Sequence, residues 1–205
     1  PFLDWLLFNN EKNDTILINI GGISNVSYIK KNVSRDEVIG FDVGPGMCLI
    51  DQFSNYIWHE DLDYNAKFSS KGITNEKLLN QLMKHPMIKK RNPKSMSRED
   101  FNIQFLLEIL KNKKISNYDI IRTLVSFSSE AIVYNIDKYI KFNGKTNLVI
   151  SGGGLNHQLL INEIHNKLKL NKIDLLDRKK IHPDFKEAFL MCVMAVANQI
   201  NLPSN

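Results

Sequence analysis

Two cysteines in 205 residues, with no CxxC spacing, exclude a disulfide framework and a thiolate metal site. Cys48 and Cys192 sit in apolar helical contexts and read as reduced packing residues of a cytosolic chain. The five histidines, His59, His85, His157, His165 and His182, show no HExxH or other ligand spacing and read mostly as surface residues. No Ser–His–Asp or Cys–His set can be assembled, and no two carboxylates stand at a spacing that marks a glycosidase pair. No apolar run approaches the ~18 residues of a membrane span. Residues 1–8 are apolar, but they are short, interrupted by Asp4 and without a basic flank, so they make a poor signal peptide. A cytoplasmic chain with no membrane partner is expected.

Charge of one sign is also scarce in any one place. The net charge of +5 comes from dispersed lysines, and Lys89-Lys90-Arg91 and Arg178-Lys179-Lys180 are short and lack interleaved aromatics. They read as solvated faces, and no nucleic-acid partner is expected. A hydrophobic content of 43% with 24% charged residues is that of a globular chain able to bury a core.

What is present is a chain of alternating texture. Residues 15–20 and 26–31 are β-branched runs joined by Gly21-Gly22-Ile23-Ser24-Asn25, a hairpin with a glycine-containing loop. Residues 37–41 supply a third strand, and a helix follows over 46–58. The middle is helical: 75–84, 98–112 with Ser97 as N-cap, and an amphipathic stretch over 118–142, with a proline-containing loop over 85–97. Strand, helix, strand and helix then follow over 146–151, 155–168, 172–176 and from Pro183 onward. The apolar positions of the last helix mark it as buried on most sides.

Four places carry chemistry. Gly40-Phe41-Asp42-Val43-Gly44-Pro45-Gly46 ends a strand in a carboxylate and a turn, either a solvated Asp or an acid held at the mouth of a cleft. Gly21-Gly22 is either a tight turn or a nest whose amides approach an anion. Ser151-Gly152-Gly153-Gly154, between strand and helix, means close packing of that helix or a flat or anionic ligand against bare backbone. It is neither GxGxxG nor a Walker A loop. Glu187 in the last helix lies either on its wet stripe or in a polar cleft.

These motifs, with Asn19-Ile20-Gly21-Gly22-Ile23-Ser24-Asn25, Arg98-Glu99-Asp100-Phe101-Asn102 and Pro183-Asp184-Phe185-Lys186-Glu187-Ala188, stand in the order of one family. The chain resembles the anhydro-N-acetylmuramic acid kinases over nearly its whole length, with Asp51 and the Asp63…Ala66…Gly72 spacing also matching. The resemblance implies an α/β fold, an RNase H-like domain of the actin/hexokinase/Hsp70-like (ASKHA) kinase fold with inserted helices. It implies ATP and Mg²⁺, an amino-sugar substrate, and phosphorylation at O6 as water opens the 1,6-anhydro bridge, a step of peptidoglycan recycling. On that reading Asp42 is the base and Glu187 the second cleft acid, Gly21 and Gly22 form a phosphate hairpin, and Gly152, Gly153 and Gly154 lie along the nucleotide. No metal-ligating residue is assigned.

The chain departs from the family at Met47, Met96, Ser97, His157, Lys180 and Pro183, and it lacks the family's first phosphate hairpin and first domain. The expected organisation is therefore the end of a missing lobe over 1–14, an RNase H-like lobe over 15–60 and 143–205, and a helical insertion over 61–142 that pairs two copies. Such a chain is expected to be inactive alone and to expose apolar surface around Phe2, Leu3, Trp5 and Leu6. The alternatives are a non-catalytic remnant with weak nucleotide binding, or a helical interaction module.

Overall fold

The run Thr15–Ile20 forms β1, the middle strand of a five-stranded sheet. The computed structural model describes residues 1–9, 11–169, 173–175 and 185–202, and within them the strand order is β3-β2-β1-β4-β5. β2 (Ile23–Ile29) returns antiparallel to β1, and β3 (Ile39–Pro45) antiparallel to β2. β4 (Asn147–Ser151) and β5 (Ile173–Leu175) extend the other side in parallel. Three antiparallel strands continued by parallel ones is the expected RNase H-like order. A parallel β1–β4 pair needs a long crossover, which the helical middle of the chain supplies.

Strand periodicity divides the core. Ile16, Ile18 and Ile20 of β1 face the main core with Val26, Phe41, Val43, Leu148 and Ile150, whereas Leu17 faces the other way with Ile29 and Val149. That second face is covered by α1 (Phe2–Phe8), through Trp5, Leu7 and Phe8. The Asp4 carboxylate accepts from Ser27 Oγ at 2.7 Å, pinning the helix to β2. The expected exposed patch is therefore mostly absent: Phe2 and Leu3 are buried and only Leu6 is prominently exposed.

On the main face lie α2 (Cys48–Trp58), α3 (Glu76–Leu82), α4 (Pro86–Lys89), α5 (Ile103–Leu110), α6 (Asn117–Tyr139) and α7 (Gln158–Leu168). α4 falls inside the stretch expected to be loop; its proline sits at the first turn, where no N–H is needed. Ser97 does not cap α5. Ser97 N and Oγ bind the Asp100 carboxylate in a turn, and Asn102 is the cap, accepting from Phe105 N at 2.9 Å. The helices of 61–142 share one core with the sheet, in which Phe53, Phe101 and Phe127 are fully buried, each contributing roughly 1.5–3 kcal/mol. The apolar stripe of α6, including Ile121, Leu124, Phe127, Ile132 and Ile136, lies inside that core and presents no open surface for a second copy.

The last helix, α8 (Lys186–Gln199), differs from expectation. Phe189, Met191 and Val196 are exposed and Ala197 is buried, so the helix is not enclosed, and Cys192 is exposed. No helix among the described residues is long and apolar enough to cross a membrane.

Candidate active site

The hairpin turn of Gly21-Gly22, the start of α2 and the glycines after β4 converge on one cleft of about 670 Å³. Its lining includes Gly21, Gly22, Asp51, Arg98, Gly153 and His157. Hydrogen bonds at the head of α2 lock the hairpin in place. Gly21 O accepts from Met47 N at 2.8 Å, and Gly22 O accepts from Gly46 N at 2.9 Å and Cys48 N at 3.2 Å. Gly46 is required for this approach, since a methyl there would overlap the Gly21 carbonyl and reach Ser24 Oγ at 2.7 Å. A trans peptide points its carbonyl and the following N–H in opposite directions. The Gly22 and Ile23 amides therefore face away from the α2 backbone. A methyl on Gly22 would meet the Arg98 guanidinium, with Nε at 2.6 Å.

The three glycines after β4 separate into two roles. A methyl on Gly154 would run into the Ile20 side chain, and Gly152, at φ +92°, would press one against Ile20 O at 2.5 Å and Asn19 Oδ1 at 2.8 Å. Those two permit close packing on β1. Gly153 has nothing within 4 Å of such a methyl and lines the cleft, so its bare backbone faces open space. The close-packing alternative thus applies to Gly152 and Gly154, while Gly153 leaves room beside its backbone.

The acids differ in state. Asp51, in the first turn of α2, has a buried Oδ1 with no hydrogen-bond partner among the described residues. Burial pushes its carboxyl up to about 6, against the opposing pull of His157 and Arg98. Asp63 is the converse case. Burial raises it, but hydrogen bonds from His157, Ser69 and Phe68 outweigh that and hold it below the usual carboxylate range. Its Oδ1 accepts from Phe68 N at 2.7 Å and its Oδ2 from Ser69 N at 3.2 Å. His157 is no surface residue, being 2% exposed. Its Nδ1 accepts from Leu160 N at 3.3 Å as the cap of α7, which leaves Nε2–H to donate to Asp63 at 3.2 Å. Cys48 has its thiol pushed up to about 12 by burial and is no nucleophile here.

Asp42 lies apart from this lining, half-buried on β3. Its Oδ2 accepts from Met96 N at 2.7 Å and from Ser95 Oγ at 3.4 Å, and its own N–H donates to Lys94 O at 3.3 Å. Glu187 falls in α8, but its side chain is outside the described residues, as are Asp184, Lys180 and Pro183. Gly21, Gly22, Gly153 and Gly154 are thus brought together, with Gly152 behind them. The sequence assigned no role to Asp51, Arg98, Asp63 or His157. The available signal was an acid one helical turn beyond Gly44-Pro45-Gly46, where the helix N-terminus and a glycine turn coincide.

The donor set fits a phosphorylated ligand. Backbone amides and a guanidinium offer anion contacts, and the partnerless Asp51 oxygen is a hard ligand for a hydrated divalent cation. Among the described residues no group of three or more His, Cys, Asp or Glu is placed to hold a metal unaided, so such a cation would need phosphate oxygens and water as well.

The chain is 35% identical over 208 residues to an anhydro-N-acetylmuramic acid kinase of Clostridioides difficile, covering all of this chain and 54% of that protein. It is 32% identical over 209 residues to one of Bacillus cereus, covering 55% of it. Its structure is similar to a xylulose kinase from Lactobacillus acidophilus, with a TM-score of 0.56 at 11% identity over 96% of this chain and 41% of that one. At that identity the likeness is one of fold, that of the actin/hexokinase/Hsp70-like kinases. The chain spans about half the length of the curated relatives it matches. With the family's sequence profile matching residues 1–205, the chain belongs to the anhydro-N-acetylmuramic acid kinase family.

Proposed function

We propose that this chain is the second lobe of an ATP-dependent kinase that opens anhydro-N-acetylmuramic acid and phosphorylates its O6. The observation that carries this reading is the single cleft uniting the Gly21-Gly22 hairpin, the open Gly153 backbone, Arg98 and the partnerless Asp51 oxygen. The hairpin amides and Arg98 orient the nucleotide's phosphates, and Gly153 lies against the nucleotide. Asp51 would help hold a hydrated Mg²⁺, and that ion would supply neutralisation of the phosphate charge. Asp42 accepts a proton from the water that attacks the anomeric carbon. The carbon–oxygen bond of the bridge breaks, its electron pair stays on O6, and O6 displaces ADP from the γ-phosphorus. The product is N-acetylmuramic acid 6-phosphate. Self-association through 61–142 has to use the outer sides of those helices, because the α6 stripe is inside the core.

The test is a turnover of the two-lobe kinase in heavy-oxygen water. The expected product carries one solvent oxygen at the anomeric carbon and none at O6. Solvent oxygen at O6, or ADP release that does not depend on the anhydro sugar, would defeat the reading. Gly153→Ala probes the nucleotide separately. It meets no neighbour, so stability should hold or rise by about 0.4–1 kcal/mol while ATP affinity falls. Unchanged affinity would remove Gly153 from the nucleotide path.

A further inference from the structure

The core holds a cation that the proposed reaction does not use. Lys94 is 6% exposed, and its ammonium donates to Met87 O at 3.2 Å, Ile88 O at 2.9 Å and Asn135 Oδ1 at 2.6 Å. All three of its protons are thereby used, and every acceptor is neutral. Asn135 is fully buried on α6 and passes the contact on, donating from Nδ2 to Val43 O at 2.8 Å and Ala131 O at 3.0 Å. Val43 adjoins Asp42, and β3 runs so close to α6 here that a methyl on Gly44 would meet Ala131 Cβ at 2.6 Å. The main chain of the same lysine segment closes the ring. Lys94 O accepts the Asp42 amide, and Met96 N donates to the Asp42 carboxylate.

Burying an ammonium without a carboxylate partner is unfavourable, and an apolar side chain of similar length often serves a core as well or better. Burial, and then the Lys138 charge, push this ammonium down to about 8, with the Asp42 charge opposing. This cation is tied on both sides to the backbone around one acid, through Asn135 to Val43 O and through its own main chain to the Asp42 amide.

We propose that Lys94, acting through Asn135 and the 94–96 backbone, is the positioning residue that fixes the Asp42 carboxylate. The proposal rests on Asp42 being the base for its catalytic consequence, but the positioning itself is measurable without turnover.

The experiment combines Lys94→Met, Asn135→Asp and Asp42→Asn. In Lys94→Met, amide hydrogen exchange at Asp42 and Met96 should quicken about tenfold relative to the β1 amides of the same variant. In the two-lobe kinase kcat should fall about 100-fold, as for a misplaced catalytic group, with KM for ATP nearly unchanged. Adding Lys94→Met to Asp42→Asn should cost no further turnover, whereas a merely structural lysine would slow both backgrounds alike. Asn135→Asp keeps the lysine's partner but loses a donor to β3. It should quicken exchange at Asp42 in the same direction, and it decides the matter if Lys94→Met does not fold. Exchange at Asp42 and Met96 unchanged relative to β1, or additive losses in the double variant, overturns the proposal. An active Asp42→Asn defeats the base assignment alone, and the exchange rates then decide the positioning.

Discussion

Asp51→Asn should make this protein more stable and less able to bind its nucleotide. The Asp51 carboxyl is pushed from 3.8 to about 6, chiefly by burial, and its Oδ1 has no partner among the described residues. A shift of that size corresponds to about 3 kcal/mol at ~1.4 kcal/mol per pH unit. Part of the side chain remains open to the cleft, so solvent screening reduces that figure, and the first turn of α2 favours an acid by about 0.3–1 kcal/mol. About 1–2 kcal/mol of net gain for Asn is therefore expected at pH 7. The sign follows from proton uptake. As pH falls through about 6 the folded state protonates before the unfolded state, whose carboxyl titrates near 3.8. The penalty is thus present above about 6 and is relieved between there and about 4. Urea unfolding of both proteins at several pH values reads this directly: Asn ahead at pH 7, with the gap closing towards pH 4. A variant that is less stable at pH 7, or a gap independent of pH, would refute the reasoning. Loss of ATP affinity in the same variant would show why a penalised acid is kept.

Asp42→Asn should lower turnover of the two-lobe kinase by about 10²–10⁴, the usual contribution of a general base, while leaving ATP binding in place; steady-state kinetics with direct ATP titration checks both. His157→Ala removes the α7 cap and one Asp63 partner, and should destabilise by about 1–3 kcal/mol in chemical unfolding. Because Asp63 is held below its ordinary value of 3.8, its stabilising contribution is present above that pH and fades as pH falls through the lower value. Acid unfolding should accordingly begin at higher pH in His157→Ala. Gly46→Ala should destabilise by about 1–3 kcal/mol through its overlap with Gly21, and should weaken ATP binding more than Gly153→Ala does. The 205-residue chain alone should release no ADP with the anhydro sugar, and sugar-dependent ADP release from it would contradict the two-lobe reading.

Local signals sufficed where a segment's own chemistry decides its conformation. Thr15–Ile20 is mostly β-branched and forms the expected strand. The glycine and proline of Val43 to Pro45 favour a turn, yet these residues continue β3, since pairing of Gly44 and Pro45 with Ser24 and Ile23 overrides local preference. The capping of α5 passed from Ser97 to Asn102 for a related reason. Ser97 and Asp100 bind one another, and Phe101 has to reach the core before the helix begins. His157 was illegible as a buried residue because its partner, Asp63, is distant in the chain, and a lone histidine after glycines carries no spacing to detect. The apolar content of α6 was legible, but what it packs against was not, because an amphipathic stripe fits its own sheet and a second copy equally well.

From residue types and their order alone came the strands and helices, the glycine sites and the family, because these depend on periodicity, on turn chemistry and on motifs written contiguously in the chain. Tertiary structure alone decided the division of labour within Gly152-Gly153-Gly154, the partnerless oxygen of Asp51, the Asp63–His157 pair and the buried Lys94 beneath β3. Each of those depends on distances between segments far apart in sequence, and on how much water reaches a charge once they have met.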